Sequence, residues 1–366
     1  MDRQNKIIKT SILGIIVNIV LVAFKATVGL IVNSIAIILD AVNNLTDALS
    51  SIITIIGTKL SGKAPDREHP YGHGRIEYFA SVLIAVLVLM AGIVSFQESF
   101  LKIINPESAD YSTASLVIVA VAVIVKFVMG RHVKKIGKNI NSQSLIASGT
   151  DAFMDAVLSF STLVAAIISI FWNLSLEGYL GVIISIIIIK SGFDILRETL
   201  NIMIGQRADT ELTNKLKTKM LQFEEVQGVY DLALHNYGPS NIIGSAHIQV
   251  RDDMLANEIH MLTREIVYTI YKEFGIVLTI GIYAANDKGE FVDVKKELEK
   301  ILKEFKNVIQ MHGFYGDKNK NIVSFDLIMD FKTEDQDKLQ EEIIKKIKEK
   351  FPQYEYNIVL DIDISD

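Results

Sequence analysis

The sequence predicts a membrane bundle of six transmembrane helices joined to an acidic α+β region that repeats its own order of elements. Three observations carry this. Half of the 366 residues are hydrophobic, yet 22% are charged, too many for a chain lying wholly in lipid. The mean hydropathy of +0.32 is therefore an average over two unlike parts. Residues 1–205 carry 16 Lys+Arg and 14 Asp+Glu, while residues 206–366 carry 21 and 29. Finally, six long apolar segments crowd the first part, and an α-β-β-α-β pattern recurs in the second.

Crossing a bilayer takes roughly 20 apolar residues. Segments near 10–32, 35–59, 77–103, 112–132, 146–171 and 178–200 meet that need. The breaks between them fall at Val32-Asn33-Ser34, at Asn105-Pro106-Glu107 and near Asn173-Leu174-Ser175. The first segment is long, carries Lys25 and is followed by further spans, so it reads as a span and not as a cleavable signal. Lys/Arg excess marks cytoplasmic loops. Arg3, Lys6 and Lys9 lie in the N-terminal tail, and Lys63, Arg67 and Arg75 between the second and third spans. Arg131, Lys134, Lys135 and Lys138 lie between the fourth and fifth, whereas the third-to-fourth loop offers Glu107 and Asp110. Both termini are thus expected in the cytoplasm of a multi-pass protein of the cell membrane.

In the acidic part, Leu212–Phe223, Val226–His235, Gly244–Val250, Asn257–Phe274 and Ile276–Tyr283 read helix, strand, strand, helix, strand. Val294–Phe305, Val308–Phe314, Ile322–Phe331, Asp335–Phe351 and Tyr356–Ile364 repeat that order, with Asn286-Asp287-Lys288 and Gly289 as the linker. The expected domains are a transport domain over 1–206, a cytoplasmic α+β ferredoxin-like domain over 207–287 and a repeat-like second one over 288–366. With no cysteine, a disulfide framework, a thiolate zinc site and a thiol nucleophile are excluded. The chain is too weakly basic to suggest a nucleic-acid partner.

The chemistry sits inside the spans. An acidic side chain at the bilayer centre costs about 2.5–3.5 kcal/mol, and Asp40, Asp47, Asp151 and Asp155 all lie deep in predicted spans. They must face the bundle interior. Residues four apart share a helix face, so Asn43 and Asp47 form one pair and Asp151 and Asp155 another. Brought together, they make an all-oxygen site of one amide and three carboxylates. Such sites suit hard cations such as Mn²⁺, Mg²⁺ or Ca²⁺, with Fe²⁺ adjacent to Mn²⁺ in affinity, while zinc prefers nitrogen or sulfur. The bland alternative pairs these acids with Lys25, Lys126 or Lys190. Asp40 shares the Asn43–Asp47 face without a counterpart in the fifth span, which fits a helix-orienting role or a role on the access path as well as a ligand role.

These motifs resemble the cation diffusion facilitator family, over roughly residues 8–284. The stretch Asp66-Arg-Glu-His69-Pro-Tyr-Gly72-His73-Gly74-Arg75-Ile-Glu77 is similar to that family's loop before the third span. The resemblance implies a proton-coupled exporter of divalent metals, dimeric through the cytoplasmic domain. Zinc members usually place His-x-x-x-Asp in the fifth span. Asp151 stands at that His, and the set Asn43, Asp47, Asp151, Asp155 is similar to the bacterial manganese-exporting branch. The resemblance also implies a further metal site at Asp66, His69 and His73, and cytoplasmic metal positions of which His247 and His260 match. Tyr230 and Gly281 replace two other ligand histidines, and Tyr283 a ligand aspartate. The family pairs the basic residue at Arg75 with an Asp after the sixth span, where this chain reads Ile204-Gly205-Gln206.

The expected function is therefore Mn²⁺ (or Fe²⁺) export against protons by alternating access, with the metal as cargo and no cofactor. The expected partners are the lipid bilayer, metal ions, protons and a second copy of the chain. A zinc transporter of the same family, a passive channel and a membrane-bound metal sensor are the other readings. An enzyme is not expected, because no nucleophile–base pair or phosphate-cradling glycine loop is present.

Overall fold

A computed structural model describes residues 2–31, 35–105, 113–172, 177–239, 241–285 and 289–362. The predicted breaks at Val32-Asn33-Ser34 and Asn173-Leu174-Ser175, most of the third-to-fourth loop with Glu107 and Asp110, and the Asn286-Asp287-Lys288 linker lie outside them. The chain divides into two compact units, residues 1–206 with 236–241 and residues 207–235 with 242–366.

The first unit is built from α1 (Asp2–Ile31), α2 (Ile35–Ser61), α3 (Ile76–Ile104), α4 (Thr113–Asn139), α5 (Gln143–Trp172) and α6 (Glu177–Ile204). Four described stretches, Arg3–Thr27, Ile76–Ile104, Leu116–Asn139 and Gly178–Ile204, are long and apolar enough to cross a membrane. The helices are inside-out relative to a water-soluble bundle. On α1, Ile12, Ile16, Ile19 and Val20 point outward, while Ser11, Asn18 and Lys25, seven residues apart, are buried. An apolar exterior around a polar interior is the arrangement a hydrocarbon solvent demands.

One expectation is corrected here. Arg131, Lys134, Lys135 and Lys138 do not form a loop; they ride on α4, which runs on to Asn139 and meets α5 across three residues. Hydropathy marks where a segment stops being apolar, and backbone hydrogen bonding carries the helix beyond that point. Arg3 fastens this end of the bundle. Its guanidinium donates to both carboxylate oxygens of the fully buried Glu77 at 2.9 Å, and its Nε to the Ile140 carbonyl at 2.8 Å.

The helices pack as α1 with α2, α3 with α6 and α4 with α5. Small residues set the last contact. A Cβ on Gly149 would lie 2.4 Å from the Lys134 backbone nitrogen, and one on Gly130 would lie 2.6 Å from that of Phe153. Without a hydrophobic drive between helices in lipid, such close backbone approach supplies the packing.

The second unit contains α7 (Thr210–Met220), β1 (Gly228–Asn236), β2 (Ile242–Arg251), α8 (Ala256–Phe274) and β3 (Val277–Ala285), followed by α9 (Glu290–Leu302), β4 (Val308–Asp317), β5 (Ile322–Met329), α10 (Gln336–Lys350) and β6 (Glu355–Asp361). Two sheets result, ordered β1-β2-β3 and β4-β5-β6, and in each the second and third strands run parallel. Each sheet buries one face against its helices. Leu232, Ala246 and Ile248 pack with Leu216, Leu262 and Ile266, while Phe325 and Leu327 pack with Leu298 and Ile343. Strand alternation turns Asp326, between Phe325 and Leu327, to the other face.

A side chain at Gly149 has no room that a rotamer change could create, because the obstructing atoms are backbone. Gly149→Val is expected to cost at least about 1–3 kcal/mol and to lower the melting temperature of the detergent-solubilised protein. Ile186→Val, on the outward face of α6, should leave it unchanged; equal melting of both variants would refute the tight α4–α5 contact.

Candidate metal centres

The cluster in the membrane-type unit is assembled from three helices. Asp47 comes from α2, Lys126 from α4, and Asp151 and Asp155 from α5, one turn apart. Lys126 Nζ donates to Asp47 Oδ2 at 2.6 Å and to Asp155 Oδ2 at 3.0 Å. The lysine is 4% exposed, so its charge has no solvent to turn to. Asp151 has Asp155, Asp47 and Lys126 as its charged neighbours and hydrogen-bonds with Ser50. Asp47 and Asp151 also line a small cavity of about 10 Å³ with Ser11, Asn18 and Ser51. That is the scale of one water. Ser11 Oγ and Asn18 Oδ1 are buried there without a hydrogen-bond partner among the described residues.

Asp47, Asp151 and Asp155 are thus gathered into one cluster, with Asp47 and Asp151 facing the cavity and Asp155 joined to Asp47 through Lys126. The side chains of Asn43 and Asp40 lie outside the described residues, although both positions fall within α2. The sequence reading held Lys126 only as a bland alternative partner and missed α1 altogether. The signal was present: Ser11, Gly14 and Asn18 form a polar and small stripe at i, i+3, i+7 in an otherwise apolar span.

A second cluster lies in the loop between α2 and α3. Asp66 Oδ1 accepts from the backbone amides of His69 (2.8 Å) and Glu68 (3.1 Å), and approaches His69 Nδ1 at 3.3 Å. Asp66 Oδ2 lies 3.5 Å from His73 Nε2. One ligand atom from each of Asp66, His69 and His73 falls within 4.8 Å of the others. The amide of His69 holds the Asp66 carboxyl down to about 2, so it is ionised at neutral pH. Gly72 adopts φ +81°, which lets the loop turn both rings toward Asp66. Among the described residues Arg75 has neither the Asp partner of the resembled family nor an alternative carboxylate. Within the same unit its Nε donates to the Asn236 carbonyl at 3.1 Å, and its guanidinium lies 4.6 Å from the centre of the Tyr237 ring.

In the second unit, His247 and His260 are not brought together. His260 is exposed on α8 and joins no metal-type cluster among the described residues. Helical periodicity places it on the solvent side, opposite Leu262 and Ile266. His247 folds over Gly281, where a Cβ would collide with its ring, and its Nδ1 lies 2.7 Å from Asp231 Oδ2. The structure instead gathers Asp231, His312 and Asp326, which sequence reasoning missed. They come from β1, β4 and β5, so no spacing in the sequence announces them. Burial works to raise the Asp231 carboxyl, but the His312 ring and the Tyr283 hydroxyl outweigh it and hold it below the ordinary range. Burial likewise works to lower His312, and the Asp231, Asp326 and Asp361 carboxylates overcome it.

Comparison with known proteins gives these clusters their setting. Residues 11–204 match the cation efflux transmembrane domain, and residues 208–282 the cytoplasmic domain of cation efflux proteins. An uncharacterized transporter of Methanocaldococcus jannaschii is 31% identical over 252 residues, 69% of this chain and 89% of that protein. The manganese efflux system protein MneP of Bacillus subtilis is 23% identical over 290 residues, 77% of this chain and 97% of its own. A cadmium, cobalt and zinc/H⁺-K⁺ antiporter of Bacillus velezensis is 23% identical over 251 residues, 67% of this chain and 79% of its own. With its helical unit and the following α+β segment both matched, the chain belongs to the cation efflux, or cation diffusion facilitator, family, and is a membrane transporter of metal cations and not an enzyme.

Proposed function

We propose that this chain exports Mn²⁺, with Fe²⁺ as a second substrate, in exchange for protons. The observation that carries the reading is the gathering of Asp47, Asp151 and Asp155 around Lys126 beside a small cavity. Asn43, one turn before Asp47 on α2, completes the ligand set. All of these ligands are oxygens, which favours Mn²⁺ over zinc, and a relative named as a manganese efflux protein supports the same choice. The cadmium, cobalt and zinc relative keeps zinc as the competing substrate.

In this reading α1 to α6 all cross the membrane with both termini cytoplasmic, and the metal is cargo, with no resident cofactor. The match to the family's cytoplasmic domain supports a homodimer. The shared strand order of the two sheets supports a duplication within the second unit.

Lys126 sets the charge balance. Three carboxylates and one ammonium leave two negative charges, which one divalent ion cancels. In the metal-free state Lys126 partly stands in for the ion, and two protons would restore neutrality. Metal entering from the cytoplasm displaces the ammonium from Asp47 and Asp155. The bundle then opens outward, and protons competing for the carboxylates release the metal.

Metal-competition flux in proteoliposomes with Mn²⁺, Fe²⁺, Zn²⁺ and Mg²⁺ tests the site. Asp155→Ala should abolish pH-gradient-driven Mn²⁺ flux, and Asp151→His should shift selectivity toward zinc; full Mn²⁺ flux in Asp155→Ala would sink the assignment. Because exchange of one Mn²⁺ for two protons moves no net charge, wild-type flux at a fixed pH gradient should not respond to an imposed membrane potential. A steep response would rule out that ratio. Lys126→Gln removes the competing cation, so Mn²⁺ affinity measured calorimetrically in detergent should rise by about tenfold, the effect of one partly screened charge. Unaltered affinity would show that the ammonium does not compete with the metal.

A further inference from the structure

The polar cluster between the two sheets of the second unit is built for a cation. His312, on β4, has a fully buried side chain. Its Nε2 lies 2.9 Å from Asp231 Oδ1, 3.5 Å from Asp361 Oδ2 and 3.9 Å from Asp326 Oδ2. Yet neither ring nitrogen makes a directed hydrogen bond among the described residues. A buried imidazole in that condition costs free energy unless something else occupies its lone pair.

A second strain on hydrogen bonding lies beside it. The Tyr283 hydroxyl is 2.7 Å from Asp231 Oδ2 and 2.6 Å from Asp326 Oδ2, but has one proton to offer two carboxylates. His247 Nδ1 shares Asp231 Oδ2 at 2.7 Å. Three carboxylates therefore converge on one buried ring.

The backbone commits to this arrangement. Asp231 holds φ +53°, and Gly313, next to His312, holds φ +62°. A Cβ at Gly313 would lie 3.0 Å from both Asp326 Oδ2 and Tyr283 Cε1, so glycine keeps the cluster close to the strand. The ladder between β4 and β5 shifts register between His312 and Tyr315.

We propose that Asp231, His312 and Asp326, with Asp361 as a fourth ligand, bind one divalent transition-metal cation between the two sheets. Ligands about 2.1 Å from an ion lie roughly 3–4 Å from one another, and the distances around His312 Nε2 fall in that range. The set of one imidazole nitrogen and several carboxylates selects Mn²⁺, Fe²⁺, Co²⁺ or Zn²⁺ over Mg²⁺. An ion there replaces the proton that the carboxylates hold on the ring, takes the freed His312 nitrogen, relieves the carboxylate repulsion and fastens the β1–β3 sheet to the β4–β6 sheet. Of the resembled family's own cytoplasmic ligand positions, this chain keeps histidine at His247 and His260 and carries Tyr230, Gly281 and Tyr283 at the others. His312, Asp326 and Asp361 instead lie beyond both family matches.

Equilibrium dialysis of the full-length protein in detergent against Co²⁺, read by elemental analysis and by the Co²⁺ visible spectrum, tests this. The wild type should bind one more Co²⁺ per chain than His312→Gln or Asp326→Asn, and both variants should lose the nitrogen-ligated spectral component that this ion contributes. Affinity at this position should fall by at least about tenfold in either variant, since even residues that only support ligands cost that much. If His312→Gln misfolds by circular dichroism, Asp326→Asn and Asp361→Asn decide the matter. Variants that bind as many ions as the wild type, with unaltered spectra, would overturn the proposal. The readout is binding and not flux, so its failure leaves the transport reading standing.

Discussion

A carboxylate carried into an apolar slab must be answered by a positive charge inside the protein, and the first unit is organised around that demand. Lys126 answers Asp47 and Asp155 directly, leaving Asp151 and the small cavity beside it as the uncompensated part of the pocket. A buried ion pair is weak support for stability, because desolvation of both partners offsets most of their attraction. In the proposed reading the arrangement is a reserved position, where the Lys126 ammonium holds the acids together until the metal arrives. Ser11 Oγ and Asn18 Oδ1 on α1, without a hydrogen-bond partner among the described residues, line the same cavity.

The rest of the bundle serves this interior. Apolar residues occupy the outside of the helices, and polar residues such as Asn18, Asn44 and Thr54 the inside. Glycine contacts replace hydrophobic drive where α4 meets α5. The Arg3–Glu77 pair closes the end of the bundle from which the Asp66–His73 loop emerges. In that loop the backbone amides of Glu68 and His69 hold the Asp66 carboxylate in place.

How much of this was legible in the sequence depended on whether the signal was local. Asp151 and Asp155 announced themselves because four residues is one helical turn and because acids in apolar spans are costly. The α-β-β-α-β order was readable from alternation, and every predicted strand has a counterpart. The Lys126 partnership was not readable, since three candidate lysines sat in the spans and only the packing of α2, α4 and α5 selects among them. His260 was legible only as a family position: helical periodicity turns it to solvent on α8, and among the described residues it joins no cluster. Asp231, His312, Asp326 and Asp361 come from four strands separated by as many as 130 positions in the numbering, and only tertiary structure brings them together.

The glycine contact between α4 and α5 has a mechanical consequence. Backbones that touch at Gly130 and Gly149 cannot slide past one another without collision. Lys126 and Asp155 therefore travel as parts of one rigid piece, whereas Asp47 belongs to α2, which pairs with α1. The Lys126–Asp155 bond lies within a piece, and the Lys126–Asp47 bond spans two. Any motion that parts α2 from the α4–α5 pair must break the second while sparing the first, which makes the ammonium-to-Asp47 separation a gauge of conformational state.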